Sequence, residues 1–210
     1  MFFNTIPQHM HVKEKYICIS MERKYIEEEI FAKADFTKKA IALGDYEKCH
    51  FNNCDFSNAD LQNIHFIDCV FTGCNMSLVK LNQTAFRDIQ FKDCKLLGLH
   101  FYDCNNFLFA AGFDGCILNH SSFFKMNLKN MQIKNSVLHE TDFTEADLSN
   151  ATFDNCDMAG ARFENTILAK ADLRTSFNYS IDPELNRIKK AKFSLPAVIG
   201  LLNKYDIEIK

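Results

Sequence analysis

From residue 31 onward a large apolar side chain returns at every fifth position: Phe31, Phe36, Ile41, Tyr46, Phe51 and so on to Phe101, fifteen in succession. A second run, in a shifted register, goes from Leu118 through Phe123, Leu128, Ile133, Leu138, Phe143, Leu148 and Phe153 to Leu173, twelve in all. The residue two before each of these centres is often Ala, Cys, Ser or Thr. The residue between them is frequently polar, as at Asp35, Asp55, Asp60, Asp142, Asp147 and Asp172. Five is not a helical period, because at about 100° per residue five steps turn the helix by roughly 140° and scatter the centres around it. Nor is it a strand period, since an odd spacing sends successive centres to opposite faces. Both objections vanish if the chain turns a corner once per quintet. Centre and small partner then point inward, the residue between them points to solvent, and the chain winds into a solenoid.

The stretches "CDFSNADLQN", "TDFTEADLSNATF" and "ARFENTILAKADLRT" resemble the pentapeptide repeat family, whose usual pattern is A-(D/N)-L-x-x, and the resemblance covers roughly residues 31–193. It implies an all-β fold: a right-handed quadrilateral parallel β-helix, the pentapeptide repeat solenoid, with a short C-terminal helix. With four quintets per coil, residues 20 apart stack, placing Phe51, Phe71 and Phe91 in one column and Phe123, Phe143 and Phe163 in another. The expected organisation is an N-terminal extension over 1–24, the β-helix over 25–193, and a capping or dimer-forming segment over 194–210.

The repeat departs from its rhythm twice. From Phe101 to Leu118 is a step of 17 residues, two more than three quintets, and the break falls in "CNNFLFAAGFDG", residues 104–115. Its two glycines permit backbone angles that a regular corner is not expected to need. Two readings stand: a bulge with Phe107, Phe109 and Phe113 packed inward, or a protruding apolar tip that touches a partner. The second departure, "NYSIDPELNRIKK", reads as an insertion over 178–187. After it, "SLPAVIGLLNKYDIEIK" changes period: Ser194 is a candidate cap, Pro196 is tolerated in a first turn, and Leu195, Val198, Ile199, Leu202 and Tyr205 fall at helical spacing. "DIEI" alternates as a short edge strand with Ile207 and Ile209 on one face. A bare solenoid end exposes core and strand edges, so this segment is expected to cap the rod. The order "AKFSL…AVIGLLNKYDIEI" is similar to the close of the quinolone-resistance branch of the family. That similarity implies a homodimer through the C-terminal helix, with Leu195, Val198, Ile199, Leu202, Tyr205, Ile207 and Ile209 at the interface. At the other end, "MERKYIEEEIF" from Met21 reads as a natural start of the first coil, making residues 1–20 an extension.

Composition narrows the chemistry. The 21 Phe against no Trp suit an interior made by repetition, since Phe has no polar atom needing a partner. Nine cysteines with no signal-peptide-like start predict reduced thiols and a cytoplasmic location, and no run approaches a membrane span. Eight of the nine (all but Cys18) occupy the small-partner position, where a thiol acts as a small buried hydrophobe rather than a metal ligand. The histidines are scattered, and no phosphate-binding glycine loop is present. The chain is therefore expected to be no enzyme, with no cofactor and no metal. Residues 45–164 carry sixteen acids and nine bases, hence −7, and a rod of that sign disfavours direct nucleic-acid binding.

The resemblance implies a non-catalytic rod that engages a type II DNA topoisomerase, gyrase or topoisomerase IV, as a DNA-mimicking or quinolone-protecting protein. The alternative is a generic repeat scaffold with an unrelated protein partner. Candidate partner-binding residues are Asn106, Phe107, Leu108, Phe109, Phe113 and Asp114 at the break, with Glu140, Asp142, Glu145, Asp147, Asp154 and Asp157 on the outer faces.

Overall fold

The computed structural model describes residues 23–208, so Cys18, the suggested start at Met21, Ile209 and nearly all of the expected extension lie outside the described residues. Within that range the chain turns a corner about every five residues and builds a parallel solenoid of about seven turns. Strand spacing makes such a rod roughly 30–35 Å long. Its first side is a sheet of β1 (Lys24–Glu27), β3 (Gly44–Glu47), β5 (His65–Ile67) and β7 (Ala85–Arg87). The second is a longer sheet of β2 (Ile30–Ala32), β4 (His50–Asn52), β6 (Val70–Thr72), β8 (Ile89–Lys92), β9 (Ala111–Asp114), β10 (Gln132–Lys134) and β11 (Thr152–Asp154). Single parallel bridges mark the other two: Asp55–Asn75–Lys95–Ile117–Val137–Asp157 on the third side, and His100–Ser122–Asp142–Arg162 on the fourth. Four separate ladders make the rod quadrilateral. No described helix is long and apolar enough to cross a membrane.

The interior is made by the centres. Phe31, Phe51, Phe71, Phe91 and Phe113 stack face to face at 4.8, 4.7, 5.1 and 5.3 Å. Phe101, Phe123, Phe143 and Phe163 do the same at 4.5, 5.4 and 5.3 Å. Rings from adjacent sides meet edge-on, as Phe143 meets Phe153 at 5.9 Å. Offset and edge-on contacts are the arrangements that aromatic quadrupoles favour. Where the small partner is Ser, Thr or Cys, its hydroxyl or thiol in most cases donates to a backbone carbonyl of the preceding coil. Thr84 Oγ1 donates to Leu61 O at 2.7 Å, Thr166 Oγ1 to Phe143 O at 2.8 Å, and the Cys74 thiol to Phe51 O at 3.2 Å. Burial pushes the thiol of Cys69 up to about 12 and that of Cys156 to about 11, so both stay protonated.

Most corners have one residue at positive φ, two places after the centre, and it is seldom glycine. Asn53, Asn63, Asn130, Asn135, Asn150 and Asn155 lie between 48° and 62°, alongside Lys48, Leu78, Glu140 and Lys170. This corrects the expectation that only the break needs such angles. Gly115, at φ 67°, sits at an ordinary corner, and Gly112 lies inside β9. The left-handed region is least costly for Gly and Asn, which explains the asparagines at the position.

The two extra residues are confined to the first side. Asn105 N still bonds Thr84 O across an ordinary turn, but Ala110 N reaches Phe86 O, and the pairs that span the break are offset by 22 residues, as in Phe91 with Phe113, before the offset returns to 20 between β9 and β10. The first-side sheet ends at β7, whereas the second-side sheet continues without interruption. The expected insertion at 178–187 adds nothing: Ile167 bridges Arg187 and Asp172 bridges Lys192, both 20 residues on. Tyr179 and Ile181 fill the core there, and Asn186 Nδ2 donates to Phe163 O at 2.8 Å in the small-partner role.

Candidate protein-binding surfaces

The break divides between the two readings. Phe113 is buried against Phe91, and half-buried Phe109 meets Phe101 edge-on at 6.2 Å. Phe107 and Leu108 point the other way, 69% and 64% exposed. A local turn holds them out: Phe107 N donates to Asn105 Oδ1 at 2.9 Å, Leu108 takes φ 60°, and Phe109 N reaches Asn106 O at 3.4 Å. Asn106 is exposed beside them. Asp114 faces elsewhere, on the second side, where it accepts from Asn135 Nδ2 at 2.9 Å. Beneath the tip lies Arg87, absent from the sequence-based candidates, with its guanidinium carbon 5.9 Å from the Phe107 ring centre. A groove of about 360 Å³ runs alongside, where Phe109, Gln90, Gly112 and Gln132 meet.

The acidic candidates do not converge. Asp142 lies on the fourth side, Asp147 on the first, Asp154 on the second and Asp157 on the third, with Glu140 and Glu145 at corners. Most are answered from a neighbouring coil. Lys125 Nζ lies 3.4 Å from Glu145, Lys129 Nζ 3.2 Å from Asp147, and His120 Nδ1 3.3 Å from Glu140. His139 Nε2 lies 2.9 Å from Asp157, without the alignment of a hydrogen bond. Asp154 accepts from Thr175 Oγ1 at 2.8 Å. Several also cap the turn that follows them, accepting from the backbone N–H two residues on: Thr144 N to Asp142 at 3.0 Å, Ser149 N to Asp147 at 3.0 Å, Ala159 N to Asp157 at 3.2 Å. Burial alone would raise the pKa of Asp142 and Asp147, but the Thr144 and Ser149 hydrogen bonds outweigh it and hold both below the usual carboxylate value. The recurrent aspartate thus has a structural task at its own corner.

At the C-terminus the expected continuous helix is two 3-10 turns, Ala197–Leu201 and Asn203–Tyr205. Ser194 does cap, its Oγ accepting from Ala197 N at 3.4 Å. Leu202 N and Tyr205 N bond carbonyls three residues earlier, as 3-10 turns do, and Gly200 O, which an α-helix would offer to Lys204 N, accepts from Ile181 N at 3.0 Å. Gly200 packs against Tyr179 with no room for a side chain, while Ala197 and Leu201 rest on the core, so the segment covers the rod's end. Its outer face is apolar: Leu195 is 90% exposed, Val198, Ile199, Tyr205 and Ile207 are exposed, and Leu202 is half-buried. Residues 206–208 form no strand, because Asp206 turns the chain at φ 49°. Lys204 ties the segment to the preceding coil through Asp182 at 2.7 Å and Glu184 at 2.6 Å.

One polar cluster escaped the sequence reading. His65 Nδ1 lies 2.8 Å from Asp45 Oδ1, which also accepts from Arg23 Nε at 2.9 Å. Burial, then the positive charge of Arg23, lowers the His65 pKa, and the Asp45 pKa is lowered chiefly by the Arg23 hydrogen bond. The signal was the 20-residue offset between Asp45 and His65, which places them on adjacent strands of one side.

Two family models match the chain, one described as a pentapeptide repeat region over residues 45–106 and one as pentapeptide repeats, 8 copies, over residues 121–160. No curated protein matches it. Among solved structures, the chain is similar to HetL, a pentapeptide repeat protein involved in heterocyst differentiation regulation from the cyanobacterium Nostoc. The match has 17% identity, covers 88% of this chain and 95% of that one, and has a TM-score of 0.55. At that identity the likeness is one of fold. Full-length QnrB1, a plasmid-mediated fluoroquinolone resistance protein, matches at 21% identity over 86% of this chain and 99% of its own, with a TM-score of 0.40.

Proposed function

This chain belongs to the pentapeptide repeat family, and from that premise we propose that it is a non-catalytic protein-binding rod. The observation that carries this reading is the Phe107–Leu108 tip: two large apolar side chains held in solvent by a defined turn, in a molecule that buries nearly all its repeat centres. Exposed apolar groups on a rigid support are what a partner's apolar surface recognises.

As partner we propose a type II DNA topoisomerase, gyrase or topoisomerase IV. The support is the sequence resemblance to the quinolone-resistance branch, in the repeats and in the order of the C-terminal segment. The acids encircle the rod instead of lining one side, so contact through the tip suits this chain better than imitation of DNA charge. That same dispersal favours a second reading, a generic scaffold for an unrelated protein. Supercoiling of relaxed plasmid by purified gyrase in the presence of a quinolone separates them. Restored supercoiling, or inhibition, at micromolar protein is expected for the first; neither effect at that concentration overturns it. We further propose that the apolar outer face of residues 195–207 joins two copies into a homodimer.

A further inference from the structure

Several charged side chains on this rod are answered from the coil next door. Lys48 meets Glu27, Lys125 meets Glu145, Lys129 meets Asp147 and Lys192 meets Asp172, at separations of 18 to 21 residues. Arg87, at the break, differs in having a buried guanidinium nitrogen with no acceptor. It stands at the end of β7, where the first-side sheet stops, and the residue 20 further on is Phe107 of the tip. It forms no ion pair among the described residues, and its Nε is shielded from water with no acceptor. A guanidinium in that position has donors to spare and an aromatic face already against it. The neighbouring coil supplies a ring and an exposed leucine where a regular coil would place an outward polar residue.

We propose that Arg87, Phe107 and Leu108 form a docking site for a protein segment carrying a carboxylate beside an apolar side chain. The carboxylate takes the guanidinium, and the apolar side chain covers Phe107 and Leu108. Charge complementarity selects the acid, since a half-buried cation without a counter-charge favours an anion and Arg suits the planar carboxylate. The two exposed apolar side chains select a peptide over a nucleic acid, and the excess of acids over residues 45–164 opposes phosphate backbones. The site rests on the protein-binding reading and gives the partner a chemistry.

The full chain can be titrated, by fluorescence anisotropy, against a labelled peptide of alternating leucine and aspartate and against its leucine–asparagine counterpart. The aspartate peptide is expected to bind, with the asparagine peptide weaker by about tenfold, the scale of a charge-assisted hydrogen bond. Arg87→Gln should remove that discrimination, and Leu108→Ser, at an exposed position that leaves folding intact, should weaken both peptides. Equal binding of the two peptides, no binding, discrimination that survives Arg87→Gln, or displacement by a single-stranded oligonucleotide overturns the site. The readings fail separately: lost discrimination removes the Arg87 site, while absent gyrase protection with discrimination intact removes only the topoisomerase partner.

Discussion

Asp172 shows how much a single outward residue does. It accepts from Arg174 N at 3.3 Å and from the Arg174 guanidinium at 2.8 Å, and Lys192 approaches it from the next coil at 3.4 Å. The Arg174 hydrogen bond is the main reason its pKa falls from 3.8 to about 2. A carboxylate whose pKa is lowered on folding contributes stability above its unfolded value, and that contribution disappears as pH falls through the folded one. Asp172→Asn is therefore expected to lower the melting temperature at pH 7, with the gap to wild type closing between pH 4 and pH 2. A gap that stays constant over that range would refute the assignment. This aspartate was legible in the sequence as an outward polar position. Its turn-capping role was not, because the neighbour that supplies the N–H shows only in the folded corner.

At the scale of elements, the quintet was legible because one physical rule repeats: inward centre, inward small partner, outward residue between. The centres Phe51 to Phe101 and Leu118 to Leu173 are buried as the period requires. Where the rule lapses, local pattern lost its hold. Helical spacing over 195–205 could not anticipate that Ile181 would claim the carbonyl of Gly200, nor could a disrupted motif at 178–187 reveal that its coil keeps the 20-residue offset. The break itself was located, yet which aromatics face in depends on the one side that absorbs two extra residues. Gly200 is the sharpest test of how the C-terminal turns are seated. A methyl group there meets the carbonyl and ring of Tyr179, so Gly200→Ala is expected to cost about 1–3 kcal/mol, as overpacking does. Chemical denaturation would measure it; a loss under about 0.5 kcal/mol would mean the segment sits more loosely than described.

For the whole molecule, the C-terminal segment has two faces with different tasks. Gly200, Leu201 and Ala197 cover the rod's last coil, and Leu195, Val198 and Ile199 look outward. If the outward face joins two copies, a charge placed there should separate them without disturbing the cap. Ile199→Asp, at a site 48% exposed, is expected to give monomers by light scattering with an unchanged far-ultraviolet spectrum. An unchanged mass, dimeric in both or monomeric in both, would remove the proposed interface.

The extra pair of residues at 106–109 widens the offset from 20 to 22 for the single coil that spans it, on the second, third and fourth sides alike, yet only the first wall is deformed. A spiral staircase accommodates a wider landing in this way, since each step above it is simply met later along the chain. Length variation within such a repeat therefore needs no compensating deletion elsewhere, and new surface features can be grafted onto one wall while the remaining three keep their hydrogen bonds.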